Sequence, residues 1–465
     1  MSSSDDLHPS RGVSFRSLIR LSLPLVVTQL AQVANGFADT AMAGHLGTVS
    51  LAAVSAGAAL WLPMMIFLIG LLYVLVPVLG YLRGQGQSQE VAETAVLGMV
   101  LALLGGGGVG ALLLFAGPFL RLIGAAPEMI PEAEAYLRWV APGMPGAALF
   151  IAFRYVLESA GMTGRVTFVA LGGAVANAVL NYVLMFGAFG VEPLGVVGCG
   201  MATSLANWGC AVVVAVTVGF GPARMDLGAA TTGIWRRGLG RGLAELVAKG
   251  APVGLGFLSD YLVVAVVAMF IATLGAAQVA GHQIAFNVLN ILMMVPLSLA
   301  MGGAILLSQA RGAGNGGAMA SVIRLTMALN GIVGVVLSVL AFLAAPLLPR
   351  FYSPDPAIHA ASEPLLQVVA ALLLLDVIVV SAGSLLRGLG NMSAPFVVTA
   401  AAHWLVSLPL GYAIGMNGVL GTPLGASGWW GAFGAGLLTA ALLLSVRLFQ
   451  VATSHTNPMP DGENA

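Results

Sequence analysis

Residues 24–47 read PLVVTQLAQVANGFADTAMAGHLG, and residues 252–275 read PVGLGFLSDYLVVAVVAMFIATLG. Each run opens on proline, carries a single acid among apolar or small residues, and closes on Leu-Gly. Each is also long enough to cross a hydrocarbon core of about 30 Å, which takes about 20 mainly apolar helical residues. The ungapped offset of 228 that aligns them extends further, pairing Arg83-Gly84-Gln85-Gly86 with Arg311-Gly312-Ala313-Gly314. Such matches stand at span ends, where shared apolarity does not generate identity. A related offset of 230 sets Tyr182 against Tyr412, and Leu194-Gly195-Val196-Val197-Gly198 against Leu424-Gly425-Ala426-Ser427-Gly428. One six-helix unit is therefore used twice. Six is even, so both copies keep the same topology and are related by an axis along the membrane normal.

Composition agrees. Of 465 residues 59% are hydrophobic and 8% charged, against about 45–50% and about 25% in soluble domains. So few charges cannot solvate a globule of this size, and the chain reads as an all-α polytopic membrane protein. A transmembrane β-barrel would show segments of about 10 alternating residues; here long runs are apolar on both faces. Charges and Gly/Pro clusters divide the chain into twelve spans, near 16–43, 49–80, 92–120, 132–157, 165–188, 195–219, 244–273, 279–309, 318–347, 362–387, 395–416 and 425–450. This gives an amino-terminal tail 1–15, an N-lobe 16–220, a linker 221–243, a C-lobe 244–450 and a carboxyl-terminal tail 451–465.

Net charge is zero, which indicates no nucleic-acid partner. Cys199 and Cys210 are the only cysteines and read as small core residues rather than as a disulfide or zinc framework. The polar, acidic start MSSSDDLHPS lacks the design of a cleaved leader. With the amino terminus in the cytoplasm, only Arg121, Arg138 and Arg350 of the 18 Lys and Arg residues fall on the far side. The positive-inside rule then puts both termini in the cytoplasm, as for a multi-pass protein of a bacterial inner membrane.

Asp39, Asp260 and Asp376 lie inside spans. An Asp at mid-membrane costs about 2.5–3.5 kcal/mol on the insertion scale, and such residues are functional by default. At a rise of 1.5 Å per residue, Asp260 stands about 16 Å from Lys249 and Asp376 about 16 Å from Arg387. Both are placed near the midplane of the C-lobe, with no Lys or Arg inside a span expected to pair with them. Asp39 lies roughly 28 Å beyond Arg20, in the outer half of the N-lobe. Asn177 and Asn181, four apart on one helix face, and Thr203 reach similar depth. The sequence thus suggests one polar cluster per lobe, each suited to a proton or a small cation, Na⁺ at Asp376 and Asp260 included. Gln32, Tyr261, His282, Gln283 and Asn287 are accessory candidates, with His282 near the outer start of its span. Ser259 offers Asp260 a local partner.

No G-x-x-x-x-G-K-[ST] motif is present, and the linker is too short for an ATPase. The Gly105–Gly108 run falls inside an apolar span and marks a closely packed or flexible helix. Energy then comes from an ion gradient, with no cofactor.

Pro24 followed by Asp39-Thr40-Ala41-Met42-Ala43-Gly44, the Arg83-Gly84-x-Gly86 segment, Gly250-Ala251-Pro252 leading to Asp260, Val279-Ala280-Gly281-His282-Gln283, and Leu385-Leu386-Arg387-Gly388 after Asp376 resemble the multidrug and toxic compound extrusion (MATE) family, NorM-type branch. The resemblance spans about residues 15–450. It implies two pseudo-symmetric six-helix lobes and cation-coupled export of diverse, often cationic or aromatic compounds by alternating access. It implies that Asp376 and Asp260 are the C-lobe acids that take Na⁺ or H⁺, and that Asp39 is the N-lobe acid, with Asn177, Asn181 and Thr203 around it. It also implies that Pro24 is the proline at which the first helix bends. The family's seventh helix carries Glu where this chain has the shorter Asp260.

Two alternatives compete. A flippase for lipid-linked oligosaccharides would favour a basic central cavity, and no Lys or Arg is expected at midplane depth. An intramembrane protease would use the two midplane acids, yet needs no second copy of the lobe. The reading is a Na⁺- or H⁺-coupled antiporter, sufficient as a monomer in the lipid bilayer.

Overall fold

The computed structural model describes residues 14–122, 124–220, 233–234, 238–419 and 421–456. Within them twelve helices are long and apolar enough to cross a membrane. They are α1 (Phe15–Leu46), α2 (Thr48–Gly84), α3 (Ser88–Leu113), α4 (Ile130–Ser159), α5 (Thr163–Phe186), α6 (Val196–Val218), α7 (Leu239–Ala272), α8 (Ala276–Gly312), α9 (Gly316–Ala344), α10 (Pro356–Gly388), α11 (Ser393–Gly415) and α12 (Gly425–Ser454). A backbone in hydrocarbon must satisfy its own hydrogen bonds, which is why the spans are helices throughout. Most of the linker and the outermost tails, residues 221–232, 235–237, 1–13 and 457–465, lie outside the described residues.

The third span ends earlier than its apolar run. Helix α3 closes at Leu113, and a short helix, Ala116–Leu122, follows it. Helix α3 also starts earlier, at Ser88, because Glu90 sits in the first turn, where the helix dipole favours an acid. Prolines 24, 63, 252, 296 and 364 lie inside helices. Each deletes a backbone donor, and membrane helices tolerate this where hydroxyls from neighbours compensate. Pro24's own carbonyl, one turn on from the one its missing N–H leaves free, accepts from Thr28 Oγ1 at 3.0 Å and from Thr167 Oγ1, on α5, at 2.7 Å, tying the two helices together.

The chain forms two compact units. One is Pro24–Leu258; the other joins the residues up to Leu23 to the chain from Ser259 onward. The division passes through α1 at Pro24 and through α7 at Ser259. In the first unit Leu157, Val166, Val169, Val214 and Val218 form one apolar cluster. In the second, Ile271, Ile284, Val288, Leu365, Leu366, Val369, Trp429 and Trp430 form the core.

The repeat is visible bond by bond. Leu51 N–H donates to Gly47 O at 3.0 Å, and Val279 N–H to Gly275 O at 3.2 Å, 228 residues later. Leu194 N–H donates to Leu184 O at 2.9 Å, and Leu424 N–H to Ile414 O at 3.2 Å, 230 residues later. Gly86 and Gly314 take φ of +74° and +66°, the left-handed conformation that favours glycine. The R-G-x-G motif therefore ends α2 and α8 in the same turn.

Candidate functional site

In the first unit the polar cluster assembles on α1 and α5. Asn181 Nδ2 donates to Asp39 Oδ1 at 2.5 Å and also meets Asn177 Oδ1 at 3.0 Å. Asn177 and Asn181 are buried, while Asp39 is half-buried. Their spacing of four puts both amides on one face of α5, turned toward α1. Asn177 Nδ2 and Asn181 Oδ1 are buried without a hydrogen-bond partner among the described residues. An orphaned amide donor and acceptor beside a carboxylate leave polar capacity unused, and buried polar groups are otherwise paired. A carboxylate with amide oxygens beside it can accept a proton or a small hard cation.

Thr203 is buried on α6, and its hydroxyl donates to Cys199 O of its own helix at 3.0 Å. That bond keeps the Thr203 hydroxyl on its own helix rather than on Asp39. Tyr136 and Cys199, both buried, stand near enough to Asp39 to feel its charge. No pattern in the sequence marks either as part of the site, because a lone Tyr or Cys in an apolar span looks like core. The available signal is glycine: a Cβ on Gly57 would lie 2.7 Å from the Tyr136 ring, and one on Gly200 would lie 2.6 Å from its carbonyl. Two neighbouring spans give up side chains to admit this tyrosine.

The same unit holds an ion pair whose arginine reads, from the sequence, as a membrane-boundary residue. Arg154 Nε donates to Glu158 Oε1 at 2.6 Å, with the arginine side chain 6% exposed and the glutamate 0%. Arg154 Nη2 also reaches Gln29 Oε1 at 3.2 Å. Both charges lie within α4, so a basic residue inside a span has a partner after all, and that partner is a glutamate one turn along.

In the second unit Asp260 is an exposed side chain on α7, and Asp376 is half-buried on α10. The charges of Asp376 and Arg387 both act on Asp260. Ser259 turns elsewhere, accepting from Trp404 Nε1 of α11 at 2.9 Å.

Among the accessory candidates, Gln32, Gln283 and Asn287 are exposed and Tyr261 is half-buried. His282 is buried at 4% exposure, with its ring stacked on Phe286 at 6.3 Å. Pro24 lies inside α1 at the edge of its compact unit.

Similarity to known proteins follows the internal repeat. The MatE family model matches residues 24–183 and again 252–413, segments whose starts are 228 apart and whose ends are 230 apart. The chain is 31% identical to the multidrug resistance protein NorM of Aliivibrio fischeri over 94% of its length and 95% of that protein's. It is also 31% identical to the multidrug resistance protein PmpM of Pseudomonas aeruginosa, over 95% of this chain and 94% of PmpM. A solved structure described as the outward-facing conformation of a multidrug resistance MATE family transporter superimposes with a TM-score of 0.87 at 19% identity, covering 98% of this chain and all of that one.

Proposed function

The chain belongs to the MATE family, and from that premise we propose that it exports amphipathic, often cationic organic compounds in exchange for Na⁺ or H⁺, with Asp39 as the ion-binding carboxylate of one lobe and Asp376 and Asp260 as those of the other. It is a multidrug efflux transporter of the membrane, not an enzyme, and works without a cofactor. Relatives at this level are named for multidrug resistance, which sets the flippase reading aside.

The observation that carries the proposal is the Asp39–Asn181–Asn177 chain of hydrogen bonds, formed by the only acid of α1 against two buried amides. A carboxylate held in hydrocarbon is costly unless it does work. Binding a cation or a proton there removes the uncompensated charge and so favours whichever arrangement encloses the site. The organic substrate needs only to favour a different arrangement for the two fluxes to be coupled. Asn177, Asn181 and Thr203 supply further oxygens, and Pro24 lets α1 bend beneath the acid. In the second lobe the charges of Asp376 and Arg387 act on Asp260, which suits a titrating or cation-exchanging pair. Gln32, Tyr261, Gln283 and Asn287 are accessory polar groups. Both termini lie in the cytoplasm of a bacterial inner membrane, and a single chain suffices.

Efflux of ethidium from proteoliposomes, driven separately by a Na⁺ and a pH gradient, tests this. One gradient should drive export, and Asp39→Asn and Asp376→Asn should each abolish it while the protein remains folded. Undiminished export in both variants would sink the assignment.

A further inference from the structure

In the first unit the acid of the first helix is presented by the fifth: Asn181 of α5 donates to Asp39 of α1. In the second unit that pairing has no literal copy. The hydrogen bonds that recur at offsets of 228 and 230 fix the correspondence of positions, and under it Asp39 becomes Val267 and Asn181 becomes Gly411. Asp260 lies seven residues before Val267, and Trp404 lies seven residues before Gly411. Trp404 Nε1 donates to Ser259 Oγ at 2.9 Å, and Ser259 adjoins Asp260 on α7. The first and fifth helices of a unit run in the same direction, so a contact between them is kept when both partners move by the same number of residues. Acid and donor have shifted together, by about two turns at 3.6 residues each.

The backbone of α11 departs from that of α5 at this place. Residues Ala402–Ser407 form a π turn within α11, whereas α5 is α-helical throughout Thr163–Phe186. Such turns are rare inside α-helices and recur at functional sites. This one is clamped against α12: His403 stacks on Phe433 at 4.8 Å, and a Cβ on Gly436 would overlap the Ser407 hydroxyl. Trp404, next in the turn, leaves that side and reaches α7. Ser259 is unlike other hydroxyls of its unit as well. Ser298, Ser381 and Thr439 each donate to a carbonyl four residues back on their own helix, whereas the hydrogen bond of Ser259 runs to another helix.

We propose that Trp404 is a positioning residue for Asp260, fixing through Ser259 the turn of α7 that presents this carboxylate to the coupling ion. Asp260 is exposed, and residues 259–262 include no buried side chain, so packing alone does not hold this turn. The indole bond does. Trp404 is itself 40% exposed, which leaves the acid and its anchor on an accessible side of the unit, as exchange of an ion requires. The two units then present their acids by one device, a donor from the fifth helix, with an amide in one and an indole in the other. The inference rests on the reading of Asp260 as an ion-binding carboxylate.

Export of ethidium from proteoliposomes tests this, measured against the concentration of whichever ion, Na⁺ or H⁺, drives the wild type. Trp404→Phe keeps a ring and loses the indole donor; Ser259→Ala loses the acceptor. Each should raise the ion concentration for half-maximal export by about two- to tenfold, the worth of one neutral hydrogen bond, and leave the half-saturating ethidium concentration unchanged. The double variant should shift no further than either single, because both remove the same bond. Ser259→Thr, which keeps the hydroxyl, should recover most of the shift seen in Ser259→Ala. Unchanged ion dependence in both single variants, whatever their thermal midpoints, would make the bond mere interhelical glue and overturn the inference. Additive shifts in the double variant would overturn it too. Asp260→Asn separates this failure from that of the reading beneath it. If Asp260→Asn exports with wild-type ion dependence, Asp260 binds no coupling ion and both fall; if it loses export while Trp404→Phe and Ser259→Ala match the wild type, the inference alone falls.

Discussion

The Asn181 amide donates to Asp39 at 2.5 Å, and that bond sets how the carboxylate is presented. A hydrogen bond to a charged group contributes about 1.5–3 kcal/mol. Asn181→Ala also removes the amide oxygen that a bound cation would use, so it should weaken Na⁺ binding by about tenfold or more, whereas Asn181→Gln, with a displaced amide, should fall between. Equilibrium ion titration monitored by intrinsic fluorescence reads this, and equal affinity in Asn181→Ala would show that the amide is mere packing. Arg154 and Glu158 pose the opposite case, a buried pair whose members shield each other. Removing one charge from such a pair costs about 3–5 kcal/mol, while replacing both by apolar residues is often neutral. Arg154→Met alone should lower the thermal midpoint sharply, and adding Glu158→Leu should restore most of it. If the double variant stays as unstable as the single, the pair serves transport geometry rather than its own neutralisation.

At the scale of the helix, the Gly105–Gly108 run in α3 divides by face. A Cβ on Gly106 would stand 2.7 Å from the Met144 carbonyl oxygen and from Pro145 Cα, both backbone atoms of α4 that cannot yield, whereas Gly107 and Gly108 have nothing within 4 Å. Gly106→Val should abolish folded protein. Gly108→Ala should be neutral or stabilise by about 0.5–1 kcal/mol, since glycine weakens a helix interior. Size-exclusion profiles and melting curves of the two variants separate the faces, and tolerance of valine at 106 would contradict the packing. The run illustrates what a linear pattern carries. It reveals a helix with room for neighbours but not which glycine faces which backbone. The spans themselves are legible because apolar length is a property of each segment alone. Their ends are less so at α3, where Glu90 joins the helix rather than bounding it. Arg154 passes for a boundary marker because a charge near a span end looks the same whether it meets headgroups or a carboxylate.

For the whole molecule, duplication is the most legible feature, and the divergence of the copies the least. Asp39, Asp260 and Asp376 announce themselves as rare acids in apolar runs, while Tyr136 is indistinguishable from core until its neighbours are known. The ion and the organic compound are two ligands of one chain, and antiport requires that each disfavour the other. Linkage makes this requirement strict in one respect: the factor by which the ion weakens ethidium binding must equal the factor by which ethidium weakens ion binding. Typical coupling of this kind lies at about 5–150-fold. Ethidium dissociation constants measured with and without the coupling ion should differ by such a factor, and ion affinities with and without ethidium should differ by the same one. In Asp39→Asn the factor should fall toward one while ethidium still binds, because the ion can no longer choose between arrangements. A wild-type factor of one in both directions would mean that the ligands bind independently, and export would then need a source of energy other than exchange.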